Sequence, residues 1–224
     1  MTWQPDIIYF GGTFDPVHLG HVEAVTIAHE VFPGSKITLV PSYDPRKNAV
    51  EAKAVDTAFI DRVAMCVVAF DEFSYVDVSS IEEDLDAPSY TIQTLKALRS
   101  ENPELKVAWM IGADQLDNFP RWKSPREILE LAALIVLPRK SAPMSDLVSR
   151  ARDVIREVGC GEGRIDGNVV EFGAGGRVIV LHRAPMDVSS TGVRQIAARD
   201  IRQAAALVPA SVVDYIVDLE LYQA

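Results

Sequence analysis

An open α/β fold, doubly wound around one mainly parallel sheet, is what this sequence predicts. Three observations carry it. Short apolar runs alternate with stretches of helical period along most of the chain. The first run, "DIIYF" (6–10), ends at once on Gly11-Gly12, a strand closed by a tight turn. Strand, helix and strand then follow within about 35 residues, the span of a right-handed βαβ unit.

Taken in order, "HLGHVEAVTIAHEVF" (18–32) is a helix whose Val22, Val25, Ile27, Ala28 and Val31 form an apolar stripe. Pro33-Gly34 breaks it, and "KITLVP" (36–41) is the second strand. "TAFIDRVAMCVVAF" (57–70) reads as helix, "SYVDVS" (74–79) as strand, "YTIQTLKALRSE" (90–101) as helix and "KVAWMIG" (106–112) as strand. A helix over 125–132, strand "ALIVLP" (133–138) and helix "MSDLVSRARDVIREV" (144–158) continue the alternation. "NVVEF" and "RVIVLH" flank "GAGG" and either pair as a hairpin or sit at the sheet edge. Helices over 189–200 and 210–222 form a small C-terminal helical part. No linker rich in Gly, Ser or Pro divides the chain, so residues 1–224 are expected to be one domain.

The bulk numbers exclude several function classes. At 224 residues with 48% apolar and 24% charged side chains, the chain can bury a sizeable core. Its net charge of −10 argues against a broad grip on nucleic acid or an anionic membrane, so any phosphate site must be local. The two cysteines, Cys66 on a helix face and Cys160 in a turn, have neither disulfide nor zinc spacing. No signal peptide or membrane-length apolar run is present, and a cytoplasmic protein is the expectation. A homo-oligomer is left open.

The chemistry concentrates in "GGTFDPVHLGH" (11–21). In open parallel sheets ligands bind beyond the carboxyl ends of the strands, where Gly11 and Gly12 fall. Glycines there let the backbone approach a phosphate, and the next helix points its N-terminus at the same place. His18 and His21, at i and i+3, share one face of its first turn. An isolated H-x-x-H is more often a polar surface pair, and His29 and His182 offer no spacing to complete a metal site. The whole string suits developing negative charge on a phosphoryl group. "SSTGVR" (189–194) offers a second cradle, suited to β- and γ-phosphates: hydroxyls of Ser189, Ser190 and Thr191 at a helix start, with Arg194 one turn in.

"GTFDPVHLGH" resembles the (T/H)xGH signature of the nucleotidyltransferase superfamily. Within it the chain is similar to the bacterial nicotinate-nucleotide adenylyltransferases. "APSYTIQTLKALR" (87–99), "IGADQLDNFPRWK" (111–123), "VSSTGVRQ" (188–195) and the tail "LVPASVVDYIVDLELY" resemble that family's elements in order, across roughly residues 6 to 222. The resemblance implies a Rossmann-like nucleotidyltransferase fold. It implies adenylyl transfer from ATP to nicotinate mononucleotide by direct in-line attack, with Mg²⁺ carried on the ATP phosphates and no protein metal ligands. His18, His21 and Arg194 would be catalytic. Gly11, Gly12, Thr13 and Phe14 would fix the α-phosphate region; Gly112 and Asp114 would meet a ribose. Trp122 would stack on the pyridine ring, and Thr91 and Ser42 would face the nicotinate carboxylate.

The chain departs from that pattern after its second strand. The family motif P-x-x-x-P-P-H-(K/R) reads "PSYDPRKN" (41–48) here, so Lys47 stands where a histidine would meet the mononucleotide phosphate. The acidic run "EEDLDAP" (82–88) before "SYT" reads as a solvated loop, and Asp15 as a residue that shapes a turn. Alternatives are a related enzyme acting on nicotinamide mononucleotide or phosphopantetheine, and a nucleotide sensor without turnover.

Overall fold

The computed structural model describes residues 3–43, 57–139, 143–173 and 175–222. Its centre is an eight-stranded sheet in the order β3-β2-β1-β4-β5-β8-β7-β6. β1 (Ile7–Gly12), β2 (Lys36–Pro41), β3 (Val76–Val78), β4 (Val107–Gly112), β5 (Ala133–Leu137) and β8 (Gly176–Val180) run parallel. β7 (Val169–Phe172) pairs antiparallel with β8, and β6 (Arg164–Asp166) with β7, so the glycine-rich stretch closes an edge hairpin as its sequence implied. β6 is an addition: its three residues are all exposed, which leaves no apolar signature to read.

Both faces of the sheet are covered, which is why the central strands read as apolar runs rather than alternating ones. Side chains divide strictly by the pleat. Ile8, Phe10, Met110 and Ile135 join one core with α1 (Leu19–Val31), α2 (Phe59–Phe70), α7 (Ser190–Asp200) and α8 (Ala210–Asp218). Tyr9, Trp109, Ile111 and Val136 join the other with α3 (Thr91–Glu101), α4 (Ala113–Leu116), α5 (Pro125–Leu131) and α6 (Met144–Glu157). Predicted helix boundaries hold within a residue or two, except that α8 stops at Asp218, short of 222. Beyond it Glu220 and Tyr222 take positive φ, and the Tyr222 hydroxyl reaches Asp15 in the turn after β1. Among the described residues no helix is long and apolar enough to cross a membrane.

Candidate active site

The order 3-2-1-4-5 places β1 beside β4, and the direction of winding reverses between them. A ligand crevice opens at such a point, beyond the carboxyl ends of the strands. Gly12 lies level with Pro41 of β2, and Gly112 ends β4 level with Leu137 of β5. The segments 11–18, 42–43 and 112–116 therefore leave the sheet along one edge. The glycines of β1 serve packing as well as access. A Cβ on Gly11 would stand 2.4 Å from Trp109 Cζ2, and one on Gly12 would stand 2.9 Å from Phe14 Cζ.

His18 is the N-cap of α1, with extended backbone, and His21 is the third helical residue. Their rings stack at 3.7 Å between centroids with a 19° interplanar angle. His21 Nδ1 accepts the backbone N–H of His18 at 3.2 Å, satisfying a donor that the helix start leaves orphaned. That bond puts the neutral ring's proton on Nε2. Phe14 and Phe10 also make edge contacts with the His21 ring, at 4.9 and 6.0 Å between centroids. Gly20 is required here for close approach, because a Cβ would lie 2.8 Å from the Met186 carbonyl and 3.1 Å from the His18 ring.

His18 is 5% exposed, and burial lowers its pKa to about 4, so the ring is neutral at physiological pH. Unfolding returns it to the ordinary value of 6.5. Between pH 6.5 and 4 the unfolded chain thus binds the extra proton, and His18 makes stability fall as pH falls, by about 3 kcal/mol in all. Urea unfolding of His18→Gln at pH 7 and 4.5 should show most of that pH-dependent loss gone relative to wild type. An unchanged difference would mean that the ring is not buried neutral.

The turn between β1 and α1 is held from α7. Phe14 takes a φ of 51° and buries its ring, so its contribution at the ligand edge is backbone. Asp15 follows with no exposed surface, preceding a cis Pro16. Arg194 Nη1 donates to the Asp15 carbonyl at 2.7 Å and lies 3.7 Å from its carboxylate. Ser190 Oγ donates to the Pro16 carbonyl at 3.0 Å, and Ser189 caps α7 by accepting the Gly192 N–H at 3.1 Å. Thr191 is exposed beside them. The "SSTGVR" segment and the "GTFDPVHLGH" turn, remote in sequence, are thus bonded together. The tail joins them: the hydroxyls of Tyr222 (2.7 Å) and Thr57 both reach Asp15 Oδ1. Asp15 is the hub of this turn rather than only a shaper of it.

On the other side of the crevice, Ser42 extends the β1–β2 pairing by donating its N–H to the Gly12 carbonyl at 2.8 Å. Thr91 is the first residue of α3, whose Tyr90 ring lies 4.5 Å beneath the Lys123 ammonium. That contact ties the start of α3 to the segment carrying Trp122, which is half-buried with its ring 5.3 Å from Phe119. Asp114 is exposed in the first turn of α4, 3.5 Å from Arg139, a cation that sequence reasoning did not single out. Lys47 lies outside the described residues.

Two buried charges were also missed. Arg62, 1% exposed, reads as one polar position on an amphipathic helix. Glu82, 6% exposed, lies in the acidic run expected to be a solvated loop. That expectation fails at this residue: its carboxylate accepts from Tyr43 N–H, Ser89 Oγ and Thr94 Oγ1 at 3.1, 2.8 and 3.0 Å. Nothing local distinguishes it from exposed Glu83 and Asp84.

Comparison with known proteins decides the lineage. A family model described as cytidylyltransferase-like matches residues 9–196. Relatives from Acidithiobacillus ferrooxidans (30% identical, covering 97% of this chain and 96% of the relative) and Stenotrophomonas maltophilia (32%, 96% of each) carry the description "Probable nicotinate-nucleotide adenylyltransferase". The chain belongs to the cytidylyltransferase-like family, among the nicotinate-nucleotide adenylyltransferases.

Solved structures agree on the fold of this adenylyltransferase family. Plasmodium falciparum nicotinic acid mononucleotide adenylyltransferase, complexed with NaAD and, in a second structure, with APC, matches at a TM-score of 0.69 over 98% of both chains, at 17% identity. Among the described residues no group of three or more His, Cys, Asp or Glu side chains could hold a metal ion. The donors around the adenylyltransferase turn, imidazole and backbone N–H, suit phosphate oxygens.

Proposed function

We infer that the protein transfers the adenylyl group of ATP to nicotinate mononucleotide, giving nicotinate adenine dinucleotide and pyrophosphate. A phosphate oxygen of the mononucleotide attacks the α-phosphorus in line. The bond from the α-phosphorus to the bridging oxygen breaks, and pyrophosphate leaves with that electron pair. No enzyme nucleophile enters, so catalysis is positioning and electrostatic stabilisation.

The observation that carries this reading is the stacked His18–His21 pair at the start of α1, beside the turn that follows β1. His21 presents an Nε2–H donor, because its Nδ1 is engaged by backbone. Two imidazoles beside a helix N-terminus stabilise charge that grows on the α-phosphate oxygens. Backbone of Gly11, Gly12 and Phe14, with Thr13, fixes the α-phosphate, and Gly112 and Asp114 meet the ribose. Ser189, Ser190, Thr191 and Arg194 border the β- and γ-phosphates. Ser42, Thr91 and Trp122 receive the nicotinate ring, and Lys47 meets its phosphate. Mg²⁺ would arrive on the triphosphate and neutralise part of its charge, with phosphate oxygens and water rather than this chain as its ligands. Two free cysteines, one of them buried, suit a reducing cytoplasm.

Competition between nicotinate and nicotinamide mononucleotides at one ATP concentration, read as kcat/KM, tests the acceptor. A preference for the acid of about tenfold or more is expected, since the amide lacks the charge that the hydroxyl and N–H donors would hold. Equal or inverted preference overturns the acid assignment. Absence of turnover with either, with nucleotide still bound, would leave a sensor.

A further inference from the structure

Residue Tyr43 poses a problem. Its side chain is 39% exposed, yet both polar groups of its backbone are held by buried charges. The N–H donates to Glu82 Oε2 at 3.1 Å, and the carbonyl accepts Arg62 Nη2 at 3.2 Å. Each charge also grips another segment. Arg62 Nη1 donates to the Thr13 carbonyl at 2.8 Å, inside the turn after β1. Glu82 takes the hydroxyls of Ser89 and Thr94, which bracket the start of α3.

Burying a guanidinium and a carboxylate is expensive, and apolar side chains of similar size commonly stabilise a fold as well. Stability alone is therefore a poor reason for these two. What they accomplish is registration. Ser42 immediately precedes the pinned residue, and Thr91 lies between the two hydroxyls that Glu82 holds. Thr13, at the far end of Arg62, belongs to the phosphate turn.

We propose that Glu82 and Arg62 are positioning residues for the acceptor half of the site: together they set Ser42 and Thr91 in register with the turn at Thr13. The inference rests on the adenylyl-transfer reading above. Among the described residues the hydrogen bonds of Glu82 go to acceptor-side segments, whereas those of Arg62 go to both sides, so the two are separable. Removing Glu82 takes away the acceptor-side hydrogen bonds and leaves those of Arg62 to be made. Burial raises the Glu82 carboxyl above its ordinary range, against the opposing pull of its three hydrogen-bond donors and of Arg62.

Steady-state kinetics of Glu82→Ala test this. The KM for nicotinate mononucleotide should rise about tenfold, with kcat and the ATP KM within about twofold of wild type. Glu82→Gln should recover wild-type constants, because an amide oxygen accepts from Tyr43 and Ser89 while its nitrogen donates to Thr94 Oγ1. An unchanged acceptor KM in Glu82→Ala overturns the proposal, as does a parallel rise in both KM values. Should Glu82→Ala fail to fold, Ser89→Ala takes its place, with an acceptor KM raised about threefold. A wild type that turns over no mononucleotide would defeat the functional reading instead. Amide exchange at Tyr43 then decides the clamp: faster by about tenfold in Glu82→Ala supports it, and no change overturns it.

Discussion

His21→Ala is expected to lower kcat by about 10²–10³-fold, the range for removing one donor aimed at developing charge, with ATP KM moved only a few-fold. The asymmetry follows from where the ring is held. Its Nδ1 accepts the His18 N–H at 3.2 Å, so the ring proton sits on Nε2, the nitrogen that the proposed role would turn toward phosphate. The triphosphate already carries negative charge before reaction, and in the proposed site the backbone of the turn and Arg194 would meet most of it. Charge at the α-phosphate grows as the new bond forms, and only then does the imidazole bond strengthen. The substitution also removes the stack on His18 and the edge contact with Phe14. Thermal unfolding of the variant must therefore accompany the kinetics. A kcat within a few-fold of wild type in a folded variant would remove His21 from the chemistry.

How much of this could be read from the sequence depended on range. The helix over 18–32 and its histidines were legible because helical period and a glycine break are local signals. The observed helix runs Leu19–Val31 with His18 as its cap. The glycines were read as room for a phosphate, yet what first demands Gly11 is Trp109, about a hundred residues away. Asp15 shows the same limit more sharply. Its partners Thr57, Arg194 and Tyr222 are scattered over the chain, and no window around residue 15 contains them. Glu82 sits among acidic neighbours that face solvent, and only tertiary packing separates it from them. Local patterns specify elements, and the buried polar contacts that align those elements are long-range.

Arg194→Ala should unfold roughly 6–20 °C below wild type and lose turnover as well, and the two losses have different origins. Arg194 is bonded to the Asp15 carbonyl and stands beside a carboxylate with no exposed surface. Deleting a cation next to a buried carboxylate typically destabilises by about 3–5 kcal/mol. Tyr222 and Thr57 hydroxyls remain on Asp15; burial and the nearby carboxylate push the Tyr222 phenol far up, so it stays a donor. Those hydroxyls compensate only in part, because neither carries charge. Asp15→Asn in the same chain removes the buried charge that has lost its Arg194 neighbour, while its amide keeps partners for both hydroxyls. The Asp15→Asn/Arg194→Ala double variant should therefore regain most of the lost melting temperature. Its turnover should stay at the level of Arg194→Ala, since no cation is returned to the β- and γ-phosphates. If turnover climbs back in step with melting temperature, Arg194 acts only as the brace of the turn, and the "SSTGVR" segment is not a phosphate cradle.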